Sequence, residues 1–261
     1  MPILRFFKYQ GAGNDFVMLN FFDNDVELDV DAVRLLCCRQ FGIGADGLIS
    51  ISESDKYDFR MRYYNSDGHE ASFCGNGSRC AMAFANDMQI IGKKAVFEAF
   101  DGIHEGDILS DNGRCKTVSM TMQDVEIKNH DGFPHLINTG SPHYIIEVAD
   151  PDVIDVKTEG ARIRYDKSIS LDGVNVNFIH WDGRVLRLRT YERGVEDETL
   201  ACGTGITASA IATAMQHNLN HIEVIAKGGQ LQVDLQRNGH RFHHIRLIGP
   251  AQKSFSGEIE I

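Results

Sequence analysis

The most informative features of this chain at first sight are the ones it lacks. No apolar run approaches the roughly 18 residues of a membrane-spanning helix. The opening "MPILRFFKYQGAGNDF" has no basic stretch leading into a long apolar one, as a secretory signal would. A cytoplasmic protein with no membrane partner is the expectation. Clusters of Lys and Arg are also missing, and 26 basic residues against 37 acidic ones leave a formal charge of -11, which argues against a nucleic-acid partner. The six cysteines contain no Cys-x-x-Cys pair, so reduced thiols are expected rather than a disulfide framework or a zinc site. No glycine-rich turn ends in Gly-Lys-Ser/Thr, which excludes a Walker phosphate loop. What remains is an ordinary globular composition over 261 residues, 43% hydrophobic and 24% charged, enough for one large or two small cores. A small molecule is the expected ligand.

The chain repeats itself. Apolar periodicity predicts a helix over "DVDAVRLLCCRQ", stopping before "FGIGADG". Strands are expected at "LISISE" and "YDFRMRYY", then a glycine-rich turn feeding a helix over "CGNGSRCAMAFANDMQI" that ends by Gly92, then the strand "KAVFEAF". The second half gives the same order with "RVLRLRTYE", "ACGTGITASAIATAMQ", "HIEVIA" and "QLQVDLQR". "FRMRYYN" aligns with "LRLRTYE" and "CGNG" with "CGTG" once one residue is inserted in the second copy. This is an internal duplication. Shared glycines follow from shared turn geometry. No turn demands a thiol, so the paired Cys74 and Cys202 point to chemistry.

A helix N-terminus favours negative charge, which lowers a thiol pKa from about 8.5 and seats a carboxylate. Glycines beside each cysteine let a carboxylate approach backbone N–H groups. If the two copies face each other, two thiols flank one carbon while two helix ends receive its carboxylate. One thiolate then removes an α-proton and one thiol returns a proton to the other face. That is stereoinversion of an amino acid, with helix N–H groups stabilising the carbanion in a water-excluding site. It needs both thiols reduced, so a Cys74–Cys202 disulfide is an expected route of oxidative inactivation. Neither a pyridoxal lysine nor a metal cluster is evident.

Together "GAGNDF", "FGIGADG", "NSDGHEASFCGNGSRC", "GSPH", "VNVNF" and "ERGVEDETLACGTG" resemble the diaminopimelate epimerases, in that family's order and over nearly the whole chain. The resemblance implies cofactor-independent, metal-free interconversion of LL- and meso-diaminopimelate on the route to lysine and peptidoglycan. The implied fold is α+β, two similar domains each a mostly antiparallel β-barrel around a central helix, with the site in the cleft between them. Carried over by position, Cys74 and Cys202 are the acid–base pair, and Gly75, Asn76, Gly203 and Thr204 receive the reacting carboxylate. Asn14, Asn65, Asn175, Glu192 and Arg193 recognise the far end of the substrate. Arg193 suits a bidentate carboxylate, and an amide at Asn65 can both donate and accept. His143 and Glu192 match residues that adjust the protonation of the thiols.

Two positions depart from the family. Ser141 stands in "GSPH" where many members have asparagine, and Gly47 stands in "GADG" where some have glutamine. A serine can still donate through a water, whereas Gly47 offers only backbone. The remaining thiols, Cys37, Cys38, Cys80 and Cys115, read as packing or incidental residues. The domains are expected as 1–115 with 251–261, and 116–250. A homodimer is compatible with the sequence, although no exposed apolar stripe marks an interface. Other readings of the residues alone are a proline-type racemase, a cysteine hydrolase, which leaves the second thiol unexplained, and a redox or zinc module, which has too few closely spaced ligands.

Overall fold

The computed structural model describes residues 3–22, 28–71, 74–127 and 132–260. The chain divides into two compact units, residues 1–120 with 249–261, and residues 121–248.

In the first unit the order is β1 (Ile3–Gly11), β2 (Asn14–Asn20), α1 (Val30–Cys37), β3 (Gly47–Ser52), β4 (Phe59–Asn65), α2 (Gly75–Asp87), β5 (Lys94–Ala99), β6 (Gly102–Asp111) and β7 (Cys115–Thr121). The strands pair in sequence order from β1 to β7. The far end of the chain completes them, because residues 249–252 pair with β7 and residues 252–260 pair with β1. The ladder therefore closes on itself with no edge, the barrel solution to exposed strand N–H and C=O groups.

Period-2 alternation gives these strands two buried faces. Phe7, Tyr9, Phe16, Met18, Ile49 and Ile51 point to one core, which contains α2. Leu4, Phe6, Val17, Leu19 and Leu48 point to the other, which is covered by Val33, Leu36 and Cys37 of α1. Helix α2 is buried on all sides over Gly75–Ala85, so "CAMAFA" reads as a central helix rather than a surface one. Its close fit needs Gly11, where a Cβ would sit 3.0 Å from the Asn76 carbonyl and 3.2 Å from Cys80 Sγ. The β1–β2 hairpin turns on Ala12 (φ 52°) and Gly13 (φ 86°), the two positive φ values of a tight turn that twists with its strands. That turn delivers Asn14. Helix α2 ends at Asp87, before the expected stop at Gly92, because Gln89 adopts φ 60° and turns the chain.

The second unit runs β8 (Val125–Glu126), β9 (Leu136–Asn138), β10 (Pro142–Glu147), a 3-10 turn at 151–153, α3 (Val156–Arg164), β11 (Asn175–Trp181), β12 (Val185–Glu192), β13 (Asp197–Thr199), α4 (Gly203–His217), β14 (His221–Ala226), β15 (Gly229–Asn238) and β16 (Arg241–Glu260). The last strand, 20 residues long, starts in this unit and finishes in the first; Ile261 lies outside the described residues. Val174, Val176, Phe178 and Tyr191 pack with Val156 and Ile163 of α3. The opposite face of β11 turns to α4, which is buried over Gly205–Ala214. Each unit is thus a sheet around a central helix with a second helix outside, the α+β repeat implied by the sequence.

Candidate active site

In the first unit, Cys74 is the N-cap of α2 and its sulfur accepts the Gly77 N–H at 3.5 Å. The floor under this turn is apolar. A Cβ on Gly77 would lie 2.8 Å from Ile49 Cδ1 and 3.5 Å from Phe16, whose ring meets Tyr63 edge-on. One buried cation reaches the turn from below. Arg79 is fully buried and donates to the Gly75 carbonyl (3.2 Å), the Asn76 side-chain oxygen (2.7 Å) and the Pro250 carbonyl (3.3 Å). Burial presses its guanidinium below its ordinary pKa, and the neighbouring Cys80 and Cys74 act to raise it. Asn76 in turn donates to Asn14 Oδ1 at 3.2 Å, and Asn14 donates to Asp46 at 2.6 Å. Asp46 is held by Arg39, which also grips Asp15 with two hydrogen bonds, and Lys8 pairs with Asp15 at 2.8 Å.

Asn65 ends β4 with an exposed side chain. Gly47 opens β3 in a place where a side chain has no room. A Cβ there would sit 2.6 Å from both the Tyr63 ring and the Tyr64 carbonyl. The departure at Gly47 is therefore coupled to its neighbour, because Tyr63 fills the space that a longer side chain would need.

In the second unit, Cys202 is the N-cap of α4. Its sulfur lies 3.4 Å from Thr204 Oγ1, which lies 2.9 Å from His143 Nε2. His143 is fully buried, and its Nδ1 faces the Asn177 amide at 3.0 Å. Thr190 donates to Asn177 Oδ1 at 2.9 Å. Burial, helped by the Arg193 charge, holds the imidazole down at about 3, so it is neutral at physiological pH. Asn175 is also buried, and its amide is oriented by backbone, accepting from Arg193 N–H at 2.8 Å and donating to the Pro142 carbonyl at 3.1 Å. Its Nδ2 also donates to Ser141 Oγ at 2.8 Å, so the serine departure keeps a polar contact at that end of β10. Glu192 ends β12, and burial raises its carboxyl pKa. The Arg193 guanidinium donates to the Gly173 carbonyl at 3.3 Å, and no carboxylate pairs with it among the described residues. Gly203 and Thr204 form the first turn of α4, and Thr139 donates to the Thr204 carbonyl at 2.9 Å.

Within the first unit the structure thus gathers Asn14, Gly75, Asn76 and Cys74, with Asn65 and Gly47 facing each other in the β3–β4 register. Within the second it gathers Ser141, His143, Asn175, Arg193, Cys202, Gly203 and Thr204. The sequence reading did not single out Arg79, Asn177, Thr190 or Asp46. The other cysteines behave as packing residues where their titration is resolved: burial pushes the Cys37 thiol up to about 11, and Cys80 further.

The arrangement is that of two thiols, each at a helix start beside glycines and a hydrogen-bonding side chain. Comparison with known proteins agrees. The family model described as diaminopimelate epimerase matches residues 6–127 and 135–254. A diaminopimelate epimerase from Flavobacterium psychrophilum is 43% identical over 98% of this chain and all of its own length. Another from Aquifex aeolicus is 36% identical over 98% of each chain. Among solved structures, a PhzF-family phenazine biosynthesis protein from Bacillus anthracis matches with TM-score 0.76 at 16% identity, covering both chains completely. A probable proline racemase from Agrobacterium radiobacter matches with TM-score 0.71 at 14% identity, covering 99% of this chain and 92% of its own. At such identities these last two share the fold alone.

Proposed function

The chain belongs to the diaminopimelate epimerase family and carries that isomerase activity in lysine biosynthesis, and from this premise we propose that Cys74 and Cys202 are its acid–base pair. The observation that carries the reading is the repeated placement of a thiol as N-cap of a buried central helix, once in each unit.

In this mechanism the α-carboxylate of the reacting centre lies against the first-turn N–H groups of Gly75, Asn76, Gly203 and Thr204, where the helix dipoles favour negative charge. Those donors also stabilise the charge that develops when the α-proton leaves, which is the main demand such a reaction makes on its site. One thiolate takes the proton and the other thiol supplies one to the opposite face. The roles exchange in the reverse direction, so each cysteine must be able to hold a thiolate. Asn14, Asn65, Asn175, Glu192 and Arg193 recognise the distal ammonium and carboxylate, with Arg193 the natural carboxylate ligand because no protein carboxylate occupies it among the described residues. His143 acts on Cys202 through Thr204, and Glu192, with its raised pKa, supplies a protonatable group near the distal site. Ser141 retains a polar contact through Asn175, whereas Gly47 contributes backbone only. The route implied by the substrate points to the cytoplasm, and the two units of the chain correspond to the two halves of the duplication.

The test uses reduced wild type, Cys74→Ser and Cys202→Ser with LL-diaminopimelate in deuterated water, following stereochemistry and α-deuterium. Wild type forms the meso isomer with deuterium at the inverted carbon, and each variant loses epimerisation by several orders of magnitude. Full epimerisation by either serine variant would remove that cysteine from the acid–base pair.

A further inference from the structure

His143 connects to more than the first turn of α4. Behind it lies a buried polar pair, Asn177 (fully buried) and Thr190 (3% exposed), on the two inner strands β11 and β12. Buried amides and hydroxyls in a sheet otherwise facing a helix of Ala, Ile and Thr cost stability unless every hydrogen bond is made. Here the bonds run in one direction. Thr190 O–H donates to Asn177 Oδ1, and the Asn177 amide N–H then meets His143 Nδ1. An imidazole nitrogen that accepts a hydrogen bond carries no proton, so the proton of the neutral ring sits on Nε2. Asn175 Nδ2 also stands 3.5 Å from Nε2, but its two protons go to Ser141 Oγ and the Pro142 carbonyl at shorter range. The Nε2–H donates to Thr204 Oγ1, which leaves the threonine hydroxyl proton directed at the Cys202 sulfur.

We propose that Asn177 and Thr190 are positioning residues that lock His143 in its Nε2–H tautomer and thereby make Thr204 a hydrogen-bond donor to Cys202. The inference rests on the reading of Cys202 as an acid–base group. A donor aimed at sulfur favours the thiolate over the thiol. The opposite tautomer would reverse every link, turning Thr204 into an acceptor for the Cys202 S–H and favouring the thiol. The surroundings of the ring contain little else that titrates. Ile137 faces it from β9, Asn175 and Asn177 from β11, Thr204 and Gly205 from α4, and Arg193 is the charged group that acts on it. With the imidazole neutral throughout the working range, the relay transmits orientation rather than charge.

Two readouts test this on the full chain. The first is the long-range nitrogen–proton spectrum of the histidine rings, with the His143 signals identified by their loss in His143→Gln. Wild type shows a protonated Nε2 and an unprotonated Nδ1 from pH 6 to 9. The second is alkylation of Cys202 by iodoacetamide, followed by mass spectrometry with Cys74 in the same sample as internal reference. In Thr190→Val and Asn177→Leu, Cys202 alkylation at pH 7 slows about tenfold, equal to about one pH unit in its midpoint. Cys74 alkylation is unchanged, and Thr190→Ser restores the wild-type rate. Thr190→Val is nearly isosteric, which keeps a folded variant available if Asn177→Leu disrupts the sheet. A protonated Nδ1 in wild type, or unchanged Cys202 alkylation in folded Thr190→Val, overturns the proposal. Full epimerisation by Cys202→Ser would instead remove the catalytic reading while leaving the tautomer and alkylation results standing.

Discussion

The two cysteine turns of this protein are built on opposite chemistry. Counting along the strand registers, Phe16, Ile49 and Tyr63 of the first unit occupy the places of His143, Asn177 and Thr190 in the second. Three apolar or aromatic residues thus stand where the other copy has a buried hydrogen-bonded chain. The helices compensate. Arg79 reaches the Gly75 carbonyl in the first unit, and at the matching place Thr207 donates to the Gly203 carbonyl at 2.9 Å. The first unit therefore sets a fixed positive charge near its thiol, and the second a neutral, oriented relay. Duplication preserved the thiol and its helix start, which the reaction needs twice, and let the supporting residues diverge, because a thiolate can be favoured by a nearby cation or by a directed donor.

The largest expected break in this comparison is at Arg79. Its guanidinium serves two backbone carbonyls and the Asn76 side chain, and no carboxylate reaches it among the described residues. Arg79→Met removes three hydrogen bonds from a charged donor, each worth about 1.5–3 kcal/mol. Relief of the buried charge offsets only part of this, so the loss is on the order of 3 kcal/mol. Thr207→Val removes one hydrogen bond and costs about 1 kcal/mol. Denaturant midpoints at constant slope measure both, and equal losses would show that the two helix turns are supported alike. Cys74 alkylation in Arg79→Met, which slows if the cation favours its thiolate, reads the functional side.

A smaller effect separates the two floors at the third residue of each cysteine motif. A Cβ on Gly205 would lie 2.6 Å from Asn177 Oδ1 and 3.2 Å from His143 Nδ1, so Gly205→Ala must break the Asn177–His143 contact. On Gly77 the nearest atom is Ile49 Cδ1, the far end of a flexible side chain, and the helix-propensity gain of alanine, about 1 kcal/mol, offsets the repacking. Gly77→Ala therefore keeps most of its epimerase activity, whereas Gly205→Ala loses about tenfold or more in kcat/KM, the equivalent of one directed hydrogen bond. Equal losses in both variants would mean that both glycines are needed for close approach of substrate and that the floor beneath them is irrelevant.

Much of this was legible in the sequence, and the parts that were not share a cause. The paired thiols stood out because glycine has a backbone reason to recur and cysteine has none. The central helices followed from apolar residues on every side, and the family resemblance supplied the return of the last strand to the first unit. Asn177 and Thr190 escaped notice because each looks like an ordinary polar residue in an alternating strand. Only the packing of α4 on their face shows that both are buried together, and only the register with Ile49 and Tyr63 shows that the other copy fills the position without this hydrogen-bonded chain. Arg79 had a signal, a lone cation in a helix of small and apolar residues, but its partner Pro250 lies 171 positions away and no local pattern announces it. Gly47 read as a missing contact because the sequence cannot show that the Tyr63 ring takes up the room.

The smallest expected effect concerns acid. Burial acts to raise the Asp15 carboxyl, and hydrogen bonds from Arg39 and Lys8 outweigh it, holding the group at about 2 against an ordinary 3.8. The matching residue of the second unit is Pro142, which has no charge to lose. A carboxyl with a lowered folded-state pKa stabilises the fold fully above the unfolded value, and this contribution is lost as pH falls from about 4 through about 2. Acidification therefore weakens the first unit through this site below about pH 4, whereas the second weakens earlier through His143, whose buried neutral ring, held at about 3, costs stability as pH falls from about 6.5. The chain's single tryptophan, Trp181, lies on β11 and reports the second unit, whereas far-ultraviolet circular dichroism reports both. Trp181 fluorescence of wild type should therefore begin to change at higher pH than the part of the dichroism loss that lies between pH 4 and 2. Asp15→Asn should start less stable at neutral pH and show a smaller dichroism loss between pH 4 and 2. Coincident transitions in wild type would place both units in one cooperative fold, and an unchanged dichroism loss between pH 4 and 2 in Asp15→Asn would assign that acid sensitivity to another carboxylate.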